Sequence, residues 1–218
     1  MNARLPPVPR SLDRARVLRA AFHAFNCLWG VLAYHFVVPR VVAAAAIGTI
    51  AAAFGIVEGL RLRSEPLNAQ VLDHPLFRNV IRPSEHHRLS GAFWFVLGVA
   101  LVLAIYPKEA VEGGCLVMGF GDPAATLVGT RFGRVRIGAG RTLEGTLAFV
   151  AAAFVAVSAF RFAAYPSSGI AWTLGFAAVA VLAGAVAEGL LSRRINDNFT
   201  VPLVSCGACA AYAALVAG

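Results

Sequence analysis

The chain has 218 residues, 59% of them hydrophobic and only 14% charged, and its mean hydropathy is +0.72. A soluble domain carries about 25% charged residues, so this composition excludes an ordinary soluble fold and points to an integral membrane protein. The net charge is +8, yet the arginines sit in short segments between apolar runs, which reads as a membrane-topology signal and excludes a nucleic-acid footprint.

Residues 1–19 form a basic, proline-containing tail. The apolar run that follows is long enough to span and ends in no small-residue cleavage site, so it reads as an uncleaved first span. Seven apolar segments follow one another at 20–38, 41–60, 89–106, 110–130, 143–164, 169–191 and 199–217, each near the ~20 residues that a span requires. Short connections at Pro39-Arg40, Pro107-Lys108-Glu109 and Tyr165–Ser168 lie on one side. The tail, a long loop at 61–88, and the segments 131–141 and 193–198 lie on the other. The second side carries sixteen basic residues and the first only Arg40, Lys108 and Arg161. The positive-inside rule therefore predicts a cytoplasmic N-terminus and an outside C-terminus. The expected fold is all-α, a polytopic bundle of about seven transmembrane helices, with residues 20–218 forming one membrane-embedded domain.

Acidic residues gather on the basic side. Glu58 ends the second segment, Glu85 precedes the third, Glu144 opens the fifth, Glu188 ends the sixth and Asp197 precedes the seventh. His23 lies about one turn into the first segment, and Asp122 lies about two turns from the cytoplasmic end of the fourth. A charge at membrane depth costs on the order of 2.5–3.5 kcal/mol and marks a site. Gly119-Phe120-Gly121-Asp122-Pro123 predicts a broken fourth span, with Asp122 capping a half-helix that starts at Pro123. Asn198 is expected to cap the seventh span in the same way.

Residues 119–146 then combine Gly121, Gly129, Gly133 and Gly145 with Arg131, Arg141, Thr142, Glu144 and Thr146. Glycine admits close backbone approach, arginine pairs bidentately with phosphate oxygens, and carboxylates beside phosphates imply Mg²⁺. A phosphate-handling site at a membrane surface is the first reading. Each residue also has a plainer one: Asp122 as a cap bonded within the bundle, Glu144 and Asp197 as first-turn acids, Arg131, Arg134 and Arg136 as topology charges, and His23 as a satisfied core residue. A small transporter with Asp122 as an ion or substrate ligand is a further reading, although the chain holds no second matching break.

Other chemistries are absent from the sequence. Cys206 and Cys209 have redox or metal-ligand spacing but no second pair or nearby histidine, so they read as small helix residues. His86-His87 read as loop residues, and Trp94 and Trp172 as packing or interface aromatics. There is no phosphate-binding Gly-x-x-x-x-Gly-Lys-Ser/Thr motif and no Gly-x-Ser-x-Gly elbow, and the single lysine, Lys108, lies in an outside connection, where no Schiff base to retinal could form.

Gly121-Asp-Pro-Ala-Ala-Thr-Leu-Val-Gly129, Gly133 and Arg141-Thr-Leu-Glu-Gly-Thr146 resemble the nucleotide signature of the CTP-dependent lipid kinases, the family of dolichol, phytol and CTP-dependent diacylglycerol kinases. Arg19-Ala-Ala-Phe-His23, Glu58-Gly-Leu-Arg61, the run from Arg88 to Gly98, Glu188 and Asp197-Asn198 to Pro202 resemble further family elements in the same order. One departure stands out: the family has lysine where this chain has Arg141, which keeps the charge and changes the geometry.

The resemblance implies transfer of the CTP γ-phosphate to the hydroxyl of a membrane lipid alcohol at the cytoplasmic face, in a prokaryotic plasma membrane by the alanine- and arginine-rich composition. Asp122 and Glu144 would hold Mg²⁺ and the triphosphate, with Asp197 as a third carboxylate and Asp122 the first choice of proton acceptor. Gly121, Gly129, Gly133, Arg131, Arg141, Thr142, Gly145 and Thr146 would bind nucleotide. Arg19, His23, Glu58, Arg61, Arg88, Glu188 and Asn198 would shape the lipid end or support the site. A cytidylyltransferase acting on a lipid phosphate is the nearest alternative. Polyprenol, phytol-like alcohol and diacylglycerol remain equal as substrates, and the oligomeric state stays open.

Overall fold

The computed structural model describes residues 14–75, 77, 81, 83–138, 140–191 and 195–217. Among the described residues eight α-helices run in chain order: α1 Arg14–Phe36, α2 Arg40–Arg61, α3 Glu65–Asp73, α4 Gly91–Ile105, α5 Lys108–Phe132, α6 Leu143–Ala164, α7 Ile170–Val186 and α8 Asp197–Ala217. A π-helical turn, Ala187–Leu191, extends α7. A two-stranded antiparallel hairpin, β1 Arg136–Gly138 and β2 Arg141–Thr142, joins α5 to α6. Each of the seven apolar segments is a helix, and α1 already begins within the basic tail. Arg4, Arg10, Arg78, Arg82, Arg193 and Arg194 of the charge tally lie outside the described residues.

Helices α2, α6, α7 with its π turn, and α8 are long and apolar enough to cross a membrane. Little of their apolar surface is covered by protein: α2 has a span hydropathy of 2.0 and only 11% of that window is buried. Phe22, Phe25 and Trp29 of α1, Val41 and Ile56 of α2, and Leu182 and Val186 of α7 all face outward. Water would penalise such a surface, and hydrocarbon does not, so the chain is an all-α membrane protein apart from its short hairpin.

Helix α5 is the hub, packed against α1, α6, α7 and α8. Its glycines are what let the other helices come close. A Cβ on Gly113 would meet Phe176 of α7 at 2.8 Å, and one on Gly114 would collide with Cys206 of α8. A Cβ on Gly119 would strike Cys27 of α1, and one on Gly121 would stand 2.6 Å from the Phe149 ring of α6. Val117, Phe149, Ala153, Val157, Phe176, Ala177 and Ala180 are wholly buried around this hub. Membrane helices associate through such small-residue contacts because lipid supplies no hydrophobic drive between them. Cys206 and Cys209 are free thiols buried against Gly114 and Gly113, so their spacing serves packing.

Two expectations are corrected. The fourth span is not broken: α5 runs through Gly119–Pro123 as one helix, with Pro123 inside it. Proline removes one helical hydrogen bond and crowds the carbonyl four residues back, which costs about 3 kcal/mol in isolation. Here that carbonyl belongs to Gly119, and α1 packs closely on Gly119 and α6 on Gly121, so the helix continues through the weak point. Asn198 is not the cap of α8 either. The Asn196 side chain precedes the helix and accepts from the Asn198 N–H at 3.0 Å, while the Asn198 amide donates to the Gly91 carbonyl at 2.9 Å and ties α8 to the start of α4.

Candidate active site

The segment after Pro123 builds a close seam and then a lever. Gly121, Ala125, Gly129 and Gly133 recur every four residues, so they share one stripe of α5. They lie against Thr142, Gly145 and Phe149 of α6. A Cβ on Gly129 would stand 3.0 Å from Thr142 Oγ1, and one on Gly145 would stand 3.0 Å from the Ala125 carbonyl. These glycines, expected at the nucleotide, are occupied in joining the two helices. Thr142 is the N-cap of α6, its Oγ1 accepting from the Gly145 N–H at 3.2 Å. The chain turns between β1 and β2 with Gly138 at φ 106° and Gly140 at φ 77°, conformations that favour glycine. Glu144 closes the hairpin base by accepting from the Val135 N–H with both oxygens at 3.3 Å.

The hairpin places Arg141 beside the last helix ends. Its Nε lies 3.3 Å from Glu188 Oε1 in the π turn, and its Nη2 lies 3.6 Å from Asp197 Oδ2 at the start of α8. Both ion pairs are long, and Nη1 is buried with no hydrogen-bond partner. An unmet buried donor costs about 1–3 kcal/mol, more for a charged group, so Arg141 retains binding capacity for an anionic acceptor. Three residues distant in sequence, Arg141, Glu188 and Asp197, therefore form one cluster. Asn198 adjoins it, and through Gly91 so does Glu85: a Cβ on Gly91 would stand 3.0 Å from Asn198 Nδ2 and 3.2 Å from Glu85 Oε1.

Asp122 and His23 occupy the α1–α5 face. Cys27 packs on Gly119, and these helices run antiparallel. His23 precedes Cys27 by one turn and Asp122 follows Gly119 by almost one, which puts both at the same level toward the basic side. Asp122 is half-buried, and the His23 ring packs edge-on against Phe95 of α4 at 5.1 Å.

Glu58 and Arg61 stand apart in a cluster of their own. Arg61 is 1% exposed and donates to both Glu58 oxygens, to Asn68 Oδ1, and to the carbonyls of Glu85, His86 and Arg88. Glu58 also accepts from the Ser90 N–H at 2.9 Å. This pair anchors the loop between α2 and α4. His86 contributes only its backbone, as a loop residue would. Arg19, Arg88 and Arg131 are exposed, the Arg131 guanidinium lying 5.6 Å from the centre of the Phe132 ring, and Thr146 is half-buried in the first turn of α6.

A second polar network at the opposite end escaped the sequence reading. Glu112, 1% exposed, accepts from Tyr165 Oη at 2.6 Å and bonds His35 Nδ1 at 2.9 Å. Burial and that carboxylate push the Tyr165 hydroxyl above its usual range, so it stays a donor. Arg161 bonds Glu109 and Ser168 and lies over the Trp172 and Phe176 rings at 4.1 and 4.2 Å. The rule that singled out Asp122, a charge inside an apolar run, applies equally to Glu112.

Comparison with known proteins agrees with the sequence resemblance. The phytol kinase of Synechocystis sp. is 40% identical over 126 residues, which cover 54% of this chain and 46% of that protein. CTP-dependent diacylglycerol kinase 1 of Eremothecium gossypii is 26% identical over 144 residues, 58% of this chain and 45% of that protein. The dolichol kinase of Saccharomyces cerevisiae is 37% identical over 91 residues, 41% of this chain and 17% of that protein. The chain thus spans about half the length of the first two and less of the third. No family model matches the chain, and no solved structure matches it significantly. By sequence, the chain is a relative of the CTP-dependent lipid kinases, the family that its Gly121–Gly133 and Arg141–Thr146 segments resemble.

Proposed function

We propose that this chain is a CTP-dependent kinase that transfers the γ-phosphate to the hydroxyl of a membrane lipid alcohol. The alcohol is a polyprenol, a phytol-like isoprenoid or a diacylglycerol, and the site lies at the cytoplasmic face of a seven-span bundle. The observation that carries this reading is Arg141, half-buried beside Glu188 and Asp197 with its buried Nη1 bonded to no acceptor. A phosphate oxygen satisfies that donor, and the field of the basic side draws a nucleotide toward it.

Phosphoryl transfer asks a protein mainly for positioning and charge neutralisation. Arg141 binds the triphosphate, with Thr142 at the adjacent start of α6. Glu188 and Asp197 hold the guanidinium in place. The lipid hydroxyl oxygen forms the new bond to the γ-phosphorus, the bond from that phosphorus to the β–γ bridging oxygen breaks, and CDP leaves. Asp122 takes the hydroxyl proton, from a level that lets the alcohol stay in the bilayer. Among the described residues no three His, Cys, Asp or Glu side chains gather to hold a metal unaided. Mg²⁺ beside a nucleotide usually takes one or two carboxylates and completes its shell with phosphate oxygens and water. Asp122 and Glu144 would hold it, and it would neutralise charge on the β- and γ-phosphates.

The test is a product assay on the purified, detergent-solubilised chain with Mg²⁺, CTP labelled separately at the α and γ positions, and a panel of lipid alcohols with phosphatidate. Label from the γ position in a lipid monophosphate, with CDP released, is expected. Label from the α position with pyrophosphate released overturns the kinase in favour of a cytidylyltransferase. Asp122→Asn should abolish turnover at unchanged expression, and turnover retained in that variant removes Asp122 from the chemistry.

A further inference from the structure

An apolar cavity of about 190 Å³ lies between α2, α3 and α4, outside the residues assigned to the nucleotide. Phe54, Val57, Val71, Phe77 and Ile81 line it, with Ala53 and Val57 on the outward face of α2. Its polar neighbours are already engaged. Glu58 is held by Arg61 and the Ser90 N–H, and Ser90 Oγ accepts from the Phe93 N–H at 3.2 Å. Among the described residues the lining therefore offers an occupant apolar contact. The cavity is smaller than the roughly 300–1,000 Å³ of ordinary ligand pockets, too little for a nucleotide and enough for a short run of hydrocarbon. Val57 is four residues, about 6 Å, from the basic end of α2, so the opening faces hydrocarbon just below the interface.

The start of α4 stands between the cavity and the Arg141 cluster and touches both. Ser90 and Ala92 line it, and Gly91 between them accepts through its carbonyl from Asn198, the neighbour of Asp197, which pairs with Arg141. We infer that this cavity seats the hydroxyl-proximal carbons of the acceptor alcohol and so fixes the hydroxyl against the Arg141–Asp197 cluster. The inference rests on the kinase reading and names the part of the site that reads the lipid. A chain leaving the bilayer for an apolar cavity gains little affinity. What it gains is position, and a misplacement of 1 Å can cost about a hundredfold in rate.

The experiment compares the full chain with Val57→Trp, which fills the cavity mouth, and with Ile56→Trp, an equally bulky change at a lipid-facing position 63% exposed and outside the lining. Each is assayed in vesicles with CTP and phytol, dolichol or diacylglycerol, and each is labelled with a photoactivatable phytol analogue. In Val57→Trp, kcat/KM for at least one of these alcohols should fall about tenfold to a hundredfold with the KM for CTP unchanged, and Ile56→Trp should match the parent. The photoprobe should label the parent at Phe77 or Ile81, be competed by unlabelled phytol, and fail in Val57→Trp. Normal kinetics in Val57→Trp, or no competable label near Phe77, overturns the cavity assignment while leaving a working kinase in view. A parent that labels competably at Phe77 yet phosphorylates no alcohol keeps the lipid site and overturns the kinase.

Discussion

Two arginines on the basic side of the bundle have opposite economies. Arg61 has every part of its fork engaged, down to 2.6 Å at the Arg88 carbonyl, and its charge is met by Glu58 at 2.8 Å. Arg141 has two looser ion pairs at 3.3 and 3.6 Å and one buried nitrogen with no acceptor. Arg61 is consumed by the fold, its donors spent on Glu58, Asn68 and three loop carbonyls. Arg141 is held in position without being saturated, the condition of a group that meets a ligand. Arg161 has an unbonded Nε too, but its guanidinium lies over the faces of Trp172 and Phe176, which take up the cation. An unmet donor therefore points to a ligand only where nothing else absorbs the charge.

The contrast breaks most sharply at Arg141→Gln. Losing the guanidinium should reduce kcat/KM by about 10³-fold or more, the scale of an arginine that stabilises a transferring phosphoryl group. Steady-state kinetics with the alcohol identified in the product assay reads this directly, and a loss below tenfold would make Arg141 structural. Arg61→Ala should act on the other axis. It strands Glu58 as a buried, uncompensated charge, and unfolding in detergent should show about 3–5 kcal/mol of lost stability. Unchanged stability would mean that the loop is anchored elsewhere. Activity should fall only as far as folded protein is lost.

The helices were legible because spans are written in long apolar runs, and the hairpin turn is visible in retrospect as Gly138 and Gly140 flanking one residue. Helix α3 was missed although its start signal is present: Ser64 caps it by accepting from the Leu67 N–H, and Pro66 stands in its first turn. The reading of the 61–88 segment as a plain loop came from its polarity, which hides a nine-residue helix. Pro123 was misread for a deeper reason. Local propensity favours a break there, and the winning term, the close approach of α1 and α6 on Gly119 and Gly121, comes from residues 90 or more positions upstream and about 30 downstream. The site itself was half legible: Arg141, Glu188 and Asp197 were all named, but no pattern in the chain says that they pair with each other. The glycines expected at the nucleotide line the close α5–α6 seam in the structure.

The opposite end supplies a smaller contrast, a buried carboxylate that is fully bonded and far from any nucleotide residue. Tyr165→Phe removes the 2.6 Å bond to Glu112 and leaves His35 as its remaining partner. A hydrogen bond to a charged group contributes about 1.5–3 kcal/mol, so the melting midpoint in detergent should fall while KM for CTP stays the same. A change in KM without loss of stability would connect the two ends of the bundle.

The smallest expected effect is the most informative about Arg141. The resembling family carries lysine there, and lysine keeps the positive charge between Glu188 and Asp197 while losing the planar fork. If Arg141 acts as a charge on the triphosphate, Arg141→Lys should stay within about tenfold of the parent, with any change falling in the KM for CTP. If the fork itself grips two phosphate oxygens, the lysine variant should fall with the glutamine variant. Comparing CTP with ATP in both backgrounds separates these outcomes. A ratio that shifts only in the lysine variant makes this position a determinant of nucleotide handling, and a constant ratio leaves it a generic counter-charge whose geometry is set by the two carboxylates behind it.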